Sequence, residues 1–440
     1  MYKPFRALLL LSSLFVGTQV QAQQLSNSPY SRFGVGEMFH GTGSIRNAGM
    51  GQVGVAAFNV SGTLFNDINP ALSYYNPAVT FEAAVNSELK KLSDGQNSQL
   101  DGTANLGYLT LAIPVARRWH SVIGLRPYSR VNYTTFLNSP VEGAPSVTTY
   151  TEYKGEGGLN EVFFTNSFFL FKGFTAGLTS SYVFGTIDRD ASTVLVDAND
   201  TNAALQKTLV HTTTKYNGFL FKGGLHYRNK IKDGVYLGVG GTYTAQTVLD
   251  ADRMVSQERR YLDDALISRT VTDSTNGFTS LPQSFQVGIG IDNARNWSAG
   301  IDYTANQNSS FHGFSARKNE GTQEMGDGYR IGVGTEFTPD PGSVTSYLKR
   351  VNYRLGGYYS KAEMLASGGT HNLTNMAITA GMSFPVGRGV RPPDYTQALL
   401  STSFTVGIQE SKESGLKEEF FRVNLGVTFN NRWFIKRRFD

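Results

Sequence analysis

The chain has 440 residues, with 40 Lys and Arg against 35 Asp and Glu, 48 Gly, 29 Phe, 22 Tyr and no Cys. Charged residues make up only 17% of it, below the roughly 25% of an average soluble domain, and with high Gly and aromatic content this excludes a disordered chain, a coiled coil and a disulfide scaffold. The net charge of +5 is mild and gives no reason to expect a nucleic-acid partner.

The chain opens with Lys3 and Arg6, then an apolar stretch from Ala7 to Val16 and small residues around Ala22. This is the layout of a secretory signal peptide, cleaved near Ala22, and the stretch is too short to span about 30 Å of hydrocarbon. The expected destination is therefore the outer membrane of a Gram-negative bacterium. Residues 23–78 follow. They do not alternate and are rich in Gly and Asn, with Asn69-Pro70-Ala71 and Asn76-Pro77-Ala78 marking turn starts. They are expected to form either a flexible periplasmic leader or a compact plug inside a barrel.

From residue 79 the period is two. Phe285, Val287, Ile289 and Ile291 alternate with Gln286, Gly288, Gly290 and Asp292; Tyr329, Ile331, Val333 and Phe337 alternate with Arg330, Gly332, Gly334 and Glu336. Such alternation marks strands with one apolar and one polar face. It predicts fourteen strands, near 79–90, 103–115, 119–132, 159–171, 174–187, 215–228, 235–249, 281–292, 297–306, 327–337, 351–361, 373–384, 399–409 and 420–429. Each is long enough to cross a membrane, which takes about 9–11 residues. Short connections alternate with long polar ones at 133–158, 188–214, 250–280 and 307–326, as in an outer-membrane barrel with periplasmic turns and external loops. An even count leaves both chain ends in the periplasm. Trp119, Tyr128, Tyr243, Trp297, Tyr303 and Phe337 are expected at headgroup level.

The fold class predicted is thus all-β: a transmembrane antiparallel barrel of about 14 strands over 79–429, a hatch over 23–78 in its lumen, and a basic periplasmic tail over 430–440. A soluble β-sandwich would carry more Lys and Glu on its polar faces, and a propeller would repeat every 40–50 residues or so. A lumen this wide needs a filler, since about eight strands is the size that side chains alone fill.

The run Arg46-Asn47-Ala48-Gly49-Met50-Gly51, with Gly54-Val55-Ala56 and an Asn-Pro-Ala just before the first strand, resembles the start of the FadL-type outer-membrane transporters of long-chain fatty acids and other hydrophobic compounds. Asn27 to Gly34 would also be at home in their Bacteroidota relatives. The resemblance implies a hatch that gates transport, here Arg46, Asn47, Gly49, Asn69, Pro70, Asn76 and Pro77, and lateral release through a wall gap at a kink in the third strand. Pro127 is the candidate for that kink, because a missing N–H breaks the ladder; alternatively the strand ends at Arg126. The function implied is passive uptake of a fatty-acid-like molecule, with outer-membrane lipid around the barrel and a hydrophobic ligand or detergent in the lumen. The alternative is a plugged barrel serving as an accessory subunit of an outer-membrane complex, as relatives of the same barrel serve the type IX secretion system.

No chemistry of another kind is marked. The six histidines, His40, His120, His211, His226, His312 and His371, show no close metal-ligand pairing, and there is no Gly-x-Ser-x-Gly elbow. No enzyme activity, cofactor or metal is expected. The charged run Glu410–Glu419 reads as an external loop.

Overall fold

The computed structural model describes residues 28–38, 44–60, 62, 64–197, 206–366, 369–386 and 397–431. The leader expected over 1–22 and the tail from residue 432 lie outside the described residues.

Fourteen antiparallel strands close into one barrel. In chain order they are β1 (Val79–Ser93), β2 (Ser98–Ala116), β3 (Trp119–Val141), β4 (Ala144–Phe171), β5 (Phe174–Asp197), β6 (Gln206–Lys232), β7 (Val235–Thr244 continuing as Thr247–Tyr261), β8 (Leu266–Leu281 continuing as Gln283–Asp292), β9 (Trp297–Gln307 continuing as His312–Ser315), β10 (Met325–Phe337), β11 (Asn352–Ala366), β12 (Gly369–Val386), β13 (Gln397–Ser411) and β14 (Leu416–Asn431). β14 pairs with β1 from Lys417↔Ser93 to Asn431↔Val79, which closes the sheet. Closure gives the spanning N–H and C=O groups partners within the protein, the requirement lipid imposes, except where β2 and β3 part.

Alternation sets the two faces. In β8, Phe285, Val287, Ile289 and Ile291 point outward while Gln286 and Asp292 are buried. The same outward apolar row runs through Phe219, Phe221 and Leu225 of β6 and Ile331 and Val333 of β10. With this lipid-facing exterior the chain is an outer-membrane β-barrel.

The long external loops are a correction. β3 runs to Val141 and β4 starts at Ala144, so most of 133–158 is strand; 188–197, 206–214, 250–261 and 266–280 are strand as well. β4 reaches 28 residues and β6 reaches 27, well beyond the 9–11 or so that a membrane needs. Beyond the bilayer both faces of a strand meet water, so the hydrophobic contrast that reveals a strand disappears while its hydrogen bonds persist. Glu410–Glu419 is corrected likewise: it belongs to β13 and β14 apart from the turn between them, and Glu418 is buried. Pro282 interrupts β8, where it can give the ladder no N–H.

Trp119, Tyr243, Tyr303 and Phe337 face outward, Trp119 and Phe337 at strand ends. Tyr128 does not. It shares the inward parity of Val122 and Arg126 and is 3% exposed; the β3–β4 register slip between Pro127 and Ser129 then brings Val131 and Tyr133 inward as well.

Candidate functional site: the hatch and the wall seam

The described residues of 44–78 pack inside the barrel. Ser44 caps the one-turn helix α1 (Ile45–Ala48), its Oγ accepting from Asn47 N at 3.3 Å. Asn69 caps a 3₁₀ turn over Pro70–Tyr75, its Oδ1 accepting from Ala71 N at 3.0 Å. Between them the backbone lies directly on the wall. A Cβ added to Gly334 would sit 2.0 Å from Met50 O, one on Gly356 2.4 Å from Gly51 N, and one on Gly177 2.4 Å from the Pro70 carbonyl carbon. Gly51 itself has φ +65° and lies as close to the wall, where no L side chain fits. The lumen-facing glycines of the alternating strands are thus a seat for the hatch backbone.

Charge fixes the hatch in that seat. Arg46 is fully buried; its Nη2 lies 2.8 Å from Glu336 Oε1, and Arg354 Nε lies 3.4 Å from Glu336 Oε2. Asp67 of the hatch pairs with Arg126 of β3 at 3.1 Å, and Arg126 also pairs with Glu161 of β4 at 2.5 Å. Asp302 Oδ2 of β9 accepts from Gly54 N at 2.6 Å and Val55 N at 2.8 Å, while Glu82 of β1 accepts from Phe65 N at 3.0 Å and from the Tyr108 hydroxyl. Removing one member of such a network orphans buried groups, at about 1–3 kcal/mol each. An Asp302→Ala variant should therefore exchange the amide hydrogens of Gly54 and Val55 faster; unchanged protection in hydrogen-exchange mass spectrometry would show the contact to be idle.

The residues named from sequence fall as follows. Asn47 Nδ2 donates to Asn66 Oδ1 and Asp67 Oδ1, each at 3.0 Å. Gly49 lies against Gly381 of β12. Asn69 Nδ2 donates to Val55 O at 2.7 Å and to Leu225 O on the wall at 3.1 Å. Pro70 begins the 3₁₀ turn over Gly177 and Gly224. Asn76 Nδ2 donates to Thr80 Oγ1 at 3.0 Å, and Pro77 is exposed where the hatch joins β1. Arg46, Asn47, Gly49, Asn69 and Pro70 thus all bear on the seating of the hatch, whereas Asn76 and Pro77 shape only its exit.

Pro127 lies elsewhere, at a break in the wall. β2 and β3 pair only from Leu109↔Leu125 to Ala116↔Trp119. Beyond Arg126, β3 continues to Val141 paired with β4, and β2 back to Ser98 paired with β1, without pairing to each other. The strand does not end at Arg126; it departs. Gly157 and Gly158 of β4, at φ +111° and +153°, let the neighbouring strand follow the bend.

The first hatch segment, 28–38, occupies this seam. Glu37 and Met38 pair with Arg130 and Ser129 of β3. Ser28 N donates to Asn132 O at 2.9 Å, and Ser31 Oγ accepts from Asn132 N at 2.9 Å. Tyr30 Oη donates to Leu416 O at 2.9 Å, and burial pushes its phenol up to about 12, so it remains a neutral donor. Val35 is 1% exposed inside an apolar cluster with Tyr128, Val131, Leu159, Ile187, Phe311 and Met325. Sequence reasoning missed Val35, Glu336, Arg354 and Asp302. For the last three, the one available signal was a charge on the lumen face of a membrane strand, which is rare unless partnered.

Solved structures share this architecture. The CymD monoaromatic hydrocarbon channel aligns with TM-score 0.53 and 13% identity, over 90% of this chain and 100% of that one. The toluene transporter TbuX of Ralstonia pickettii aligns with TM-score 0.52 and 13% identity, over 90% and 100%. A FadL homologue of Pseudomonas aeruginosa aligns with TM-score 0.50 and 13% identity, over 86% and 100%. At this identity the likeness is one of fold. No curated protein sequence matches the chain. A family model does, over residues 1–440, and it is BamG where the hatch motif resembled the FadL-type transporters. The chain belongs to the BamG family.

Proposed function

We propose that this barrel is a passive channel for a hydrophobic small molecule, entering from the outer face and leaving laterally at the β2–β3 seam. The carrying observation is Val35: one hatch residue fills an apolar cluster that includes Tyr128, Val131 and Tyr133 of β3, just past the point where β3 parts from β2. If the segment 28–38 leaves, that cluster, which runs from β3 across the lumen to Phe311 and Met325, becomes a dry pocket. Transfer of cargo into it is then favourable by about 25 cal/mol per Å² of apolar area buried. The similar structures include a monoaromatic hydrocarbon channel and a toluene transporter, whose cargo is of this class. Catalysis has no part in it.

The test is binding of an environment-sensitive fluorescent fatty acid to the detergent-purified protein. Val35→Ala should strengthen binding and Val35→Trp should abolish it. Equal binding by both variants would refute the pocket.

A second reading has its own observation. The hatch rests on wall glycines and on the buried Arg46–Glu336–Arg354 cluster, and the outer lumen cavities, about 70 and 210 Å³, are lined largely by polar side chains. A barrel so closed suits an accessory subunit of an outer-membrane complex. This reading predicts a stable larger assembly on mild extraction from native membranes and no ligand in the lumen; a monomer carrying a hydrophobic ligand would exclude it.

A further inference from the structure

The seam holds a second site, separate from the Val35 pocket. Above Pro127, Val131 and Tyr133 point into the barrel core, so Arg130 and Asn132 point the other way. They face a cleft of about 70 Å³ whose far wall is the lumen side of β1, β2 and β14, including Lys90, Asn105 and Arg422. One buried water takes about 10–15 Å³ on this measure, so the cleft holds a group the size of a few waters. Its lining side chains are mostly polar, Glu37 and Glu88 among them, although it borders a gap in a membrane wall.

Its charges are unevenly matched. Lys90 pairs with Glu37, Glu88 and Glu418 at 3.1–3.7 Å, and Arg422 pairs with Glu37 and Glu88. Among the described residues Arg130 has no carboxylate within salt-bridge distance. It reaches across the seam to Thr103 Oγ1 at 3.0 Å and, with the Asn105 amide turned oxygen-first, to Asn105 at 2.9 Å. Just outside, Leu89 and Leu106 are 52% and 40% exposed on the outer face of β1 and β2. A planar guanidinium offering free donors to a bidentate acceptor, beside an apolar shoulder, fits a phosphate with acyl chains attached.

We propose that the β2–β3 seam binds a phosphate-bearing amphiphile of the outer leaflet, its phosphate on Arg130 and its chains along Leu89 and Leu106. The assignment is independent of whether cargo crosses the barrel. Filling the cleft would also satisfy polar groups at the parted strand edges, which are costly to leave bare in lipid.

The test uses full-length protein in maltoside, a detergent without phosphate, offered phosphatidic acid or diacylglycerol with the same chains and read by native mass spectrometry. Phosphatidic acid should be retained and diacylglycerol lost. Arg130→Gln should cut retention roughly 10- to 100-fold, the range for a hydrogen bond to a charged group, while Arg130→Lys keeps part of it. Equal retention of the two lipids, or no effect of Arg130→Gln in a barrel that still migrates as folded on an unheated gel, overturns the proposal. Displacement by millimolar inorganic phosphate would assign the cleft to the free anion and overturn the lipid assignment; resistance to it supports the lipid. If Arg130→Gln does not fold, the lipid comparison on the unaltered protein still decides.

Discussion

Arg46→Ala is expected to loosen the hatch by about 3–5 kcal/mol, the cost of breaking a buried ion pair from one side. The loss exceeds that of a surface pair because Glu336 and Arg354 stay behind in a site with no exposure, and Arg46 Nη2 also donates to Phe58 O at 3.0 Å. The readout is limited proteolysis of the folded barrel, in which 44–78 should become cleavable at far lower protease. Replacing Arg46, Glu336 and Arg354 together by Met removes every member and should recover much of the protection, since buried ionic clusters often trade evenly against apolar packing. A double replacement that leaves Arg354 should not. An Arg46→Ala hatch as resistant as the parent would mean that the glycine seat alone holds it.

The second large effect is expected from Gly334→Val. A Cβ there falls 2.0 Å from Met50 O, and backbone cannot swing aside as a long side chain can. Valine suits the strand, so the barrel should still form, with the hatch excluded from its seat. Planar-bilayer recordings should then show discrete conductance steps that the parent lacks. A silent Gly334→Val barrel with its hatch still protected would show that the wall can give way at this point, and the seat would lose its role.

These two experiments bear on both functional readings. A channel needs a hatch whose attachment can be released, and the ion pairs that hold the segment 28–38, from the part-exposed Glu37 to Lys90 and Arg422, are less buried than the Arg46–Glu336 pair that holds α1. Movement confined to 28–38 would open the Val35 pocket while α1 keeps the pore shut to ions. A plugged subunit needs neither movement. Val35→Trp binding and Gly334→Val conductance therefore report on different parts of one hatch.

Period-two alternation placed the spanning parts of all fourteen strands, because one face of each must be apolar where it meets lipid. The same rule failed for the upper halves of β3 to β8, where the outer face meets no lipid and the buried inner face carries polar residues such as Ser256 and Glu258, so alternation carries little signal. Asn69 and Pro70 were legible as turn chemistry, and Pro127 as a ladder break. Glu336 was visible as a polar-face residue, but its partner Arg46 is 290 positions away, and no local pattern encodes such a pairing. Tyr128 was misplaced although its parity with Val122 and Arg126 already put it on the inner face, and only beyond it does a one-residue bulge reverse the pattern for Val131 and Tyr133.

By itself the sequence determined that this is a membrane barrel with glycines on its inner face and a motif-bearing segment before its first strand, since lipid imposes a period that composition and alternation reveal. Only the tertiary structure decided what those glycines are for and where the wall parts. Both depend on which backbones come within contact of one another once the sheet has closed.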